Sequence, residues 1–229
     1  MALSYTLSEP TRKRIGLAVL QTDETLEADM RRLLPTNVDV YVTRVPSDTT
    51  VTSDSLATMA AVLTGAITLF PPGMTFDAIG YGCTSGTAEI GPAKIAELVK
   101  AGAQTAAVTE PVSALIAFCQ AQNITRIGLI SPYVAEVSEK LQTVLATNGI
   151  TVTTFASFEE PLERNVVRID DKSIHTAAVG MKGDFDAIFL SCTNLRTLDV
   201  LEAITTDIGK PVLSSNQVLA WHLRQLCGL

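Results

Sequence analysis

The sequence predicts an α/β protein of two pseudo-symmetric lobes, each a parallel sheet with helices on both faces. Three observations carry this. Strand-like runs alternate strictly with helix-like runs. Most of the strand-like runs are continuously apolar, as in strands buried on both faces of a sheet. And the pattern of the first half begins again in the second.

In chain order, residues 14–20 (RIGLAVL) form a short apolar run that reads as a strand. Residues 23–34 have helical spacing, with Leu26, Met30, Leu33 and Leu34 on one face. Residues 38–45 alternate and are rich in β-branched side chains, and 53–70 read as a long apolar helix. Residues 77–82 (DAIGYG) are a buried strand, 91–101 a helix and 106–109 a short strand. Residues 111–122 open with Pro, which suits the first turn of a helix. A second set follows, with strands at 126–130, 150–155, 185–190 and 211–214. Its helices are expected at 134–147, 170–179, 198–208 and 217–226.

The restart is visible in the residues themselves. Arg14-Ile15-Gly16-Leu17 recurs as Arg126-Ile127-Gly128-Leu129, an offset of 112 residues. Asp77-Ala78-Ile79, followed by Cys83-Thr84, recurs as Asp186-Ala187-Ile188, followed by Cys192-Thr193, an offset of 109. Two ordered matches at nearly one offset indicate a half used twice. The expected lobes are residues 1–110, carrying Cys83, and 111–229, carrying Cys192, with the terminal helix packing on the first lobe.

Composition narrows the partners. A chain of 229 residues, 47% apolar and 18% charged, is long enough to bury roughly 70–75% of its unfolded surface without staples. A formal charge of -7 offers no overall attraction for nucleic acid or an anionic membrane. Residues 55–76 carry no charge, but Thr58, Thr64, Gly65, Thr68 and the turn Pro71-Pro72-Gly73 fit a buried amphipathic helix better than a membrane span. Residues 1–10 are polar and precede the basic cluster Arg12, Lys13, Arg14, the reverse of a secretory signal, so a cytoplasmic protein is expected. The helix at 53–70 would suit either core or interface, which leaves a homo-oligomer open.

Four cysteines are too few for a disulfide scaffold. Cys83 lies in Gly82-Cys83-Thr84-Ser85-Gly86 and Cys192 in Ser191-Cys192-Thr193-Asn194, each after an apolar strand and each expected to precede a helix. Ligands of parallel α/β sheets bind at such strand ends, and free N–H groups at a helix start favour an anion and a lowered thiol pKa. One such cysteine alone would read as a small buried apolar residue; a duplicated pair in duplicated turns points to function. Two facing lobes would set one thiol on each side of a bound carboxylate, suiting proton removal from one face and delivery from the other. Other motifs fail in detail. Gly80-x-Gly82-x3-Gly86 has one residue too many for a dinucleotide fingerprint, and Gly86-x4-Gly91 lacks the Lys-Ser/Thr of a phosphate loop. Ser85 is not in a G-x-S-x-G elbow. His175 and His222 are isolated and there is no C-x-x-C, so no metal site is expected. Cys119 and Cys227 read as structural.

These turns, together with Ser131-Pro132-Tyr133 and the PVLSSNQ run at 211–217, resemble the aspartate/glutamate racemase superfamily. Within it they are most similar to the branch holding maleate cis–trans isomerase and arylmalonate decarboxylase, from about Arg14 to the C-terminus. The resemblance implies flavodoxin-like lobes, an active site between them, and chemistry without metal or organic cofactor. It makes Cys83 the first catalytic thiol, a nucleophile in maleate isomerases and a base or acid in racemases, and Cys192 the second. Thr84, Ser85 and Thr193 would cradle carboxylate oxygens, Tyr133 would contribute its hydroxyl, and Asn165 would match a carboxylate-binding Asn.

Two departures shape the expectation. Arylmalonate decarboxylases resemble a version with Gly in place of the first thiol, whereas Cys83 is present here. Maleate isomerases carry an Asn after the first strand, where this chain has Asp23. An ionised Asp repels a carboxylate and pairs with an ammonium group, although Asp23 also suits a helix cap. The expected function is a cofactor-independent two-cysteine racemase or isomerase acting on a small carboxylate, amino acid or dicarboxylate. Its alternatives are a maleate cis–trans isomerase, an arylmalonate-type decarboxylase and a non-catalytic small-carboxylate binding protein.

Overall fold

The computed structural model describes residues 1–8 and 11–229; Glu9 and Pro10, within the polar stretch weighed above as a targeting signal, lie outside the described residues. In the first half, β1 (Lys13–Leu20), β2 (Val38–Val45), β3 (Thr75–Gly82) and β4 (Gln104–Thr109) form a parallel sheet in the order β2-β1-β3-β4. The second half repeats it with β5 (Arg126–Ser131), β6 (Thr151–Ser157), β7 (Ala187–Leu190) and β8 (Val212–Ser214), in the order β6-β5-β7-β8. The registers agree: Ile15 lies opposite Ala78, and Ile127 opposite Ala187.

The duplicated Arg and Asp residues serve that register. Asp77 accepts from the Arg14 backbone N–H at 2.9 Å, and Asp186 accepts from the Arg126 backbone N–H at 2.9 Å. Lys13 pairs with Asp77 at 2.9 Å and the Arg126 guanidinium with Asp186 at 2.7 Å. The Arg126 guanidinium and nearby N–H groups hold the Asp186 carboxyl down at about 2. These clamps lie at the start of the strands, and the duplicated Cys-Thr pairs lie at their far end.

Alternation along each strand divides the side chains between two helical layers. On β1, Ile15, Leu17 and Val19 face α1 (Leu26–Leu33) and α10 (Ser215–Cys227). Ala18 and Leu20, with Ile79 of β3, face α2 (Ser53–Ile67) and α4 (Pro92–Gly102). In the second sheet, Ile127, Leu129 and Phe189 pack under α5 (Pro111–Gln122) and α6 (Ala135–Thr147). Ile188 and Leu190 pack under α8 (Asp171–Gly180) and α9 (Leu201–Ile208). The terminal helix therefore covers the first sheet, where Leu219 and Leu223 are fully buried. Burial of two such leucines contributes about 3–6 kcal/mol. No helix among the described residues is long and apolar enough to cross a membrane.

Three local features depart from the expectations. The long apolar helix stops at Ile67, before Pro71-Pro72, and the first helix starts at Leu26, not Asp23. Two short helices are added, α3 (Thr84–Ile90) and α7 (Glu163–Val166). The α3 sequence, TSGTAEI, has poor intrinsic propensity; burial of Thr84 through Ala88 and the cap from Cys83 hold it. Finally, Cys192 does not precede a helix. The chain runs irregularly from Leu190 to Leu201, with Cys192 at a φ of 99°, so a helix N-terminus exists at Cys83 alone.

Candidate active site

The carboxyl ends of the two sheets face each other across a small, nearly closed cavity. The turn after β1 supplies Thr22 and Asp23, and the turn after β3 supplies Cys83, Thr84 and Ser85. From the other lobe come Tyr133 after β5, Glu163 at the start of α7, and Cys192, Thr193 and Asn194 after β7. Its free volume is about 10 Å³, room for about one water. A larger groove of about 610 Å³ beside Phe118 and Trp221 contains none of these residues.

Cys83 caps α3: its Sγ accepts from the Gly86 N–H at 3.1 Å. Glycine is required there, because a methyl group at Gly86 would sit 2.8 Å from the Cys83 sulfur and 2.9 Å from the Tyr81 hydroxyl. A Cβ at Gly82 would meet the Leu26 side chain at 2.2 Å, so that buried side chain would have to shift. Burial pushes the Cys83 thiol up to about 12 against the opposing Gly86 N–H, and the Glu163 and Asp23 charges push the same way. Cys192 is raised too, first by burial and then by Glu163, while its contacts with the Tyr133 hydroxyl and the Asn194 N–H act against the rise. Burial thus favours the neutral form of both thiols.

The positive φ of Cys192 is a conformation that L-residues adopt at a cost of about 1–3 kcal/mol. Contacts across the lobes hold it. The Cys192 backbone N–H donates to Ser215 Oγ at 3.0 Å, and Ser215 Oγ lies 2.8 Å from Thr84 Oγ1 of the first lobe. Thr193 Oγ1 donates to the Gly82 carbonyl at 3.2 Å. Asn216 Nδ2 donates to Asp29 at 2.7 Å and to the Thr193 carbonyl at 2.8 Å. The two thiol-bearing turns are thus tied to one another, directly through Thr193 and indirectly through Ser215 and Asn216 of α10.

Asp23 does two things with its two oxygens. Oδ1 accepts from the backbone N–H groups of Thr25 and Leu26, both at 2.8 Å, and so starts α1. Oδ2 is buried without a partner in a residue that lines the cavity. Burial raises the Asp23 carboxyl, against the two N–H bonds, the nearby Thr193 hydroxyl and the Arg44 charge. Arg44 itself is engaged with the carbonyls of Leu20 and Asp23 and with Glu27.

Glu163 is the second acid. Tyr133 Oη donates to its Oε1 at 2.6 Å, and Asn194 Nδ2 donates to its Oε2 at 2.7 Å. Its backbone N–H reaches across to the Thr49 carbonyl at 3.0 Å. Burial raises this carboxyl too, and the Asp23 charge adds to the rise. The expected Asn165 lies off the cavity, where its amide donates to Glu160 at 3.1 Å. This stretch presents an acid to the cavity instead of the amide. Nothing in the sequence pattern marked Glu163, because a lone acid in a polar loop has no periodicity to betray its burial. Ser215 and Asn216 lay within the PVLSSNQ motif, but only the packing of α10 reveals what they hold.

The remaining candidates stand apart. Cys119 and Cys227 are buried in the helical layers, and neither lines the cavity. His222 faces Thr109 at 2.8 Å and His175 pairs with Asp207 at 2.9 Å near the surface. Among the described residues no group of three or more His, Cys, Asp or Glu side chains is placed to hold a metal ion.

Residues 93–229 match the family described as arylmalonate decarboxylase. A maleate isomerase of Nocardia farcinica is 26% identical over 224 residues, covering 92% of this chain and 88% of that protein. An arylmalonate decarboxylase of Bordetella bronchiseptica is 29% identical over 112 residues, covering 48% of this chain and 47% of that one. In structure, a mutant N. farcinica maleate cis–trans isomerase with a covalently bound succinylcysteine intermediate superposes with a TM-score of 0.85 at 24% identity, covering 96% of this chain and 94% of that one. The two-lobe fold is shared.

Proposed function

The chain belongs to the arylmalonate decarboxylase family, and from that premise we propose that it is a cofactor-independent, cysteine-dependent isomerase that racemises a small carboxylate bearing an amino group. The observation that carries this reading is Asp23 Oδ2, buried and unpartnered in the cavity that holds both thiols.

Five acidic groups line that cavity, Asp23, Glu163, Cys83, Cys192 and Tyr133, and no cationic side chain lines it. A dianion would add like charge to a buried acidic cluster and drive both thiols further from ionisation. An ammonium beside Asp23 does the opposite: it stabilises the carboxylate and lowers the thiol pKa values by direct attraction. The substrate carboxylate would be received by the hydroxyls and backbone N–H groups around Thr84, Ser85 and Thr193. One sulfur, as thiolate, removes the α-proton while the opposite thiol delivers one to the other face, and the roles exchange with the hand of the substrate. Chemistry needing protonation from one face only, as in decarboxylation, would have no use for the second thiol.

A second reading, a maleate-type cis–trans isomerase, is favoured by the identity spread over 92% of the chain with the N. farcinica enzyme. There Cys83 would add to the double bond, permit rotation about the resulting single bond and leave, with Asp23 and Glu163 protonated to admit the dianion. Incubation in D₂O with aspartate, glutamate, diaminobutyrate derivatives, maleate and an arylmalonate separates the readings by proton NMR and optical rotation. Deuterium at Cα with loss of rotation supports the racemase. Movement of the maleate vinyl signal to the fumarate position supports the second reading, and loss of a carboxylate would show a decarboxylase. No turnover on any of them would favour a binding protein, and turnover surviving the combined Cys83→Ser and Cys192→Ser changes would overturn the two-thiol mechanism.

A further inference from the structure

Glu163, Tyr133 and Cys192 form a continuous hydrogen-bonded chain inside the cavity. Tyr133 Oη donates to Glu163 Oε1 at 2.6 Å and lies 2.9 Å from Cys192 Sγ. With its one proton committed to Glu163, the phenol oxygen meets Cys192 as an acceptor, so the S–H bond points along the same line. Asn194 Nδ2 holds the other carboxylate oxygen at 2.7 Å. All four side chains are buried. The first lobe differs: Cys83 Sγ is met by the Gly86 N–H and by the Tyr81 hydroxyl, but behind Tyr81 lies the Met59 sulfur at 3.7 Å and no carboxylate.

We propose that Glu163 acts through Tyr133 as the internal proton acceptor for Cys192. In the step, the Cys192 S–H bond breaks as its proton passes to Tyr133 Oη, and the Tyr133 O–H bond breaks as its proton passes to Glu163 Oε1. The products are a Cys192 thiolate, an unchanged neutral phenol and a neutral Glu163 carboxylic acid. The reverse transfer restores the thiol when Cys192 is to donate. No net charge enters or leaves the cavity, whereas proton loss to solvent would set a third anion beside Glu163 and Asp23. The groups facing Glu163 are Tyr133, Asn194 and Cys192 from its own lobe and Asp23 and Cys83 from the other. None is cationic, so hydrogen bonds alone support its charge, which suits a group that must accept a proton. The relay makes the two thiols inequivalent, with thiolate formed more readily at Cys192.

The proposal rests on Cys192 being one of the working thiols, and its test needs no turnover. The full-length protein is alkylated with iodoacetamide between about pH 7 and 9, and modification of Cys192 is followed by peptide mass spectrometry. An internal transfer from an ionised Glu163 system gives a thiolate population independent of pH, so the wild-type rate should be flat over this interval. In Glu163→Gln the thiolate forms only by loss to solvent, and the rate should climb tenfold per pH unit. Glu163→Asp keeps the charge but draws the carboxyl back from Tyr133, and should also climb. A wild-type rate that climbs tenfold per unit, or a flat profile surviving in Glu163→Gln, would overturn the relay. A role for Glu163 as a neighbouring charge alone predicts that opposite pattern, with Glu163→Gln more reactive at every pH. If Glu163→Gln does not fold, the wild-type slope and Glu163→Asp decide. A flat profile in an enzyme that turns over no amino substrate would leave the relay standing and sink the racemase reading.

Discussion

Replacing Asp23 by Asn tests the division of labour between the two oxygens of that carboxyl. Oδ1 accepts two backbone N–H bonds at 2.8 Å, and Oδ2 has no partner. Asn keeps the accepting oxygen, so α1 should start as before; Asp23→Ala loses it, at about 1–2 kcal/mol. For a chain of this size that corresponds to a fall of about 2–8 °C in thermal midpoint. The charge change has its own sign. Burial raises the folded-state pKa of Asp23 above its ordinary value, so the ionised carboxyl weakens the fold, and its stabilising contribution is present in acid and lost as pH rises through the folded-state value. Asp23→Asn should therefore melt no lower than wild type at neutral pH and lose its relative advantage near pH 3–4, below the ordinary carboxylate value. Losing a charge-assisted hydrogen bond to a substrate ammonium costs about 1.5–3 kcal/mol, or about 10–150-fold in kcat/KM for amino substrates. The assay is kcat/KM from deuterium incorporation at Cα, with melting curves at two pH values. Equal loss on substrates with and without an amino group would refute the pairing, and a midpoint falling as far as that of Asp23→Ala would refute the separation of cap from site.

Other consequences follow from the same geometry. At Cys192, with its φ of 99°, Gly should be more stable than Ala by about 1 kcal/mol, whereas at Cys83, in extended backbone, Gly should be no better than Ala; urea unfolding of the four variants checks both. Cys83→Ser and Cys192→Ser should each abolish racemisation from either hand, because each direction needs both sulfurs; progress from pure enantiomers by polarimetry would show any exception. Gly86→Ala should displace the Cys83 sulfur, which its methyl would approach at 2.8 Å, and lower kcat at least tenfold while the protein stays folded by circular dichroism. Ser215→Ala cuts the link from Thr84 to the Cys192 N–H and should reduce stability by about 1–3 kcal/mol, the cost of leaving a buried donor unpaired; chemical denaturation measures it.

The succession of strands and helices, the repeat and the two Cys-Thr turns were legible in the sequence because each rests on local regularity. Apolar runs buried on both faces, helical spacing and a motif copied at nearly one offset all survive without knowledge of what packs on what. Thr84, Ser85, Tyr133 and Thr193 were legible through those motifs, and Asp23 through its place after the first strand. Tertiary structure decided the rest. Glu163, not Asn165, faces the cavity, because the loop at the start of α7 is pinned to the Thr49 carbonyl of the other lobe. The copied turns are not physically alike: Cys83 caps a helix, while Cys192 sits at positive φ with its N–H held by Ser215 from α10. Whether Asp23 caps or binds was a false choice in one dimension, since two oxygens of one carboxyl point different ways. The sequence by itself determined which elements form and which residues end the strands, through short-range pattern. Only the folded chain decided which buried acid lacks a cation and which thiol is joined through a phenol to an acid, because both depend on residues distant in sequence, 59 positions in the case of Tyr133 and Cys192, being packed together.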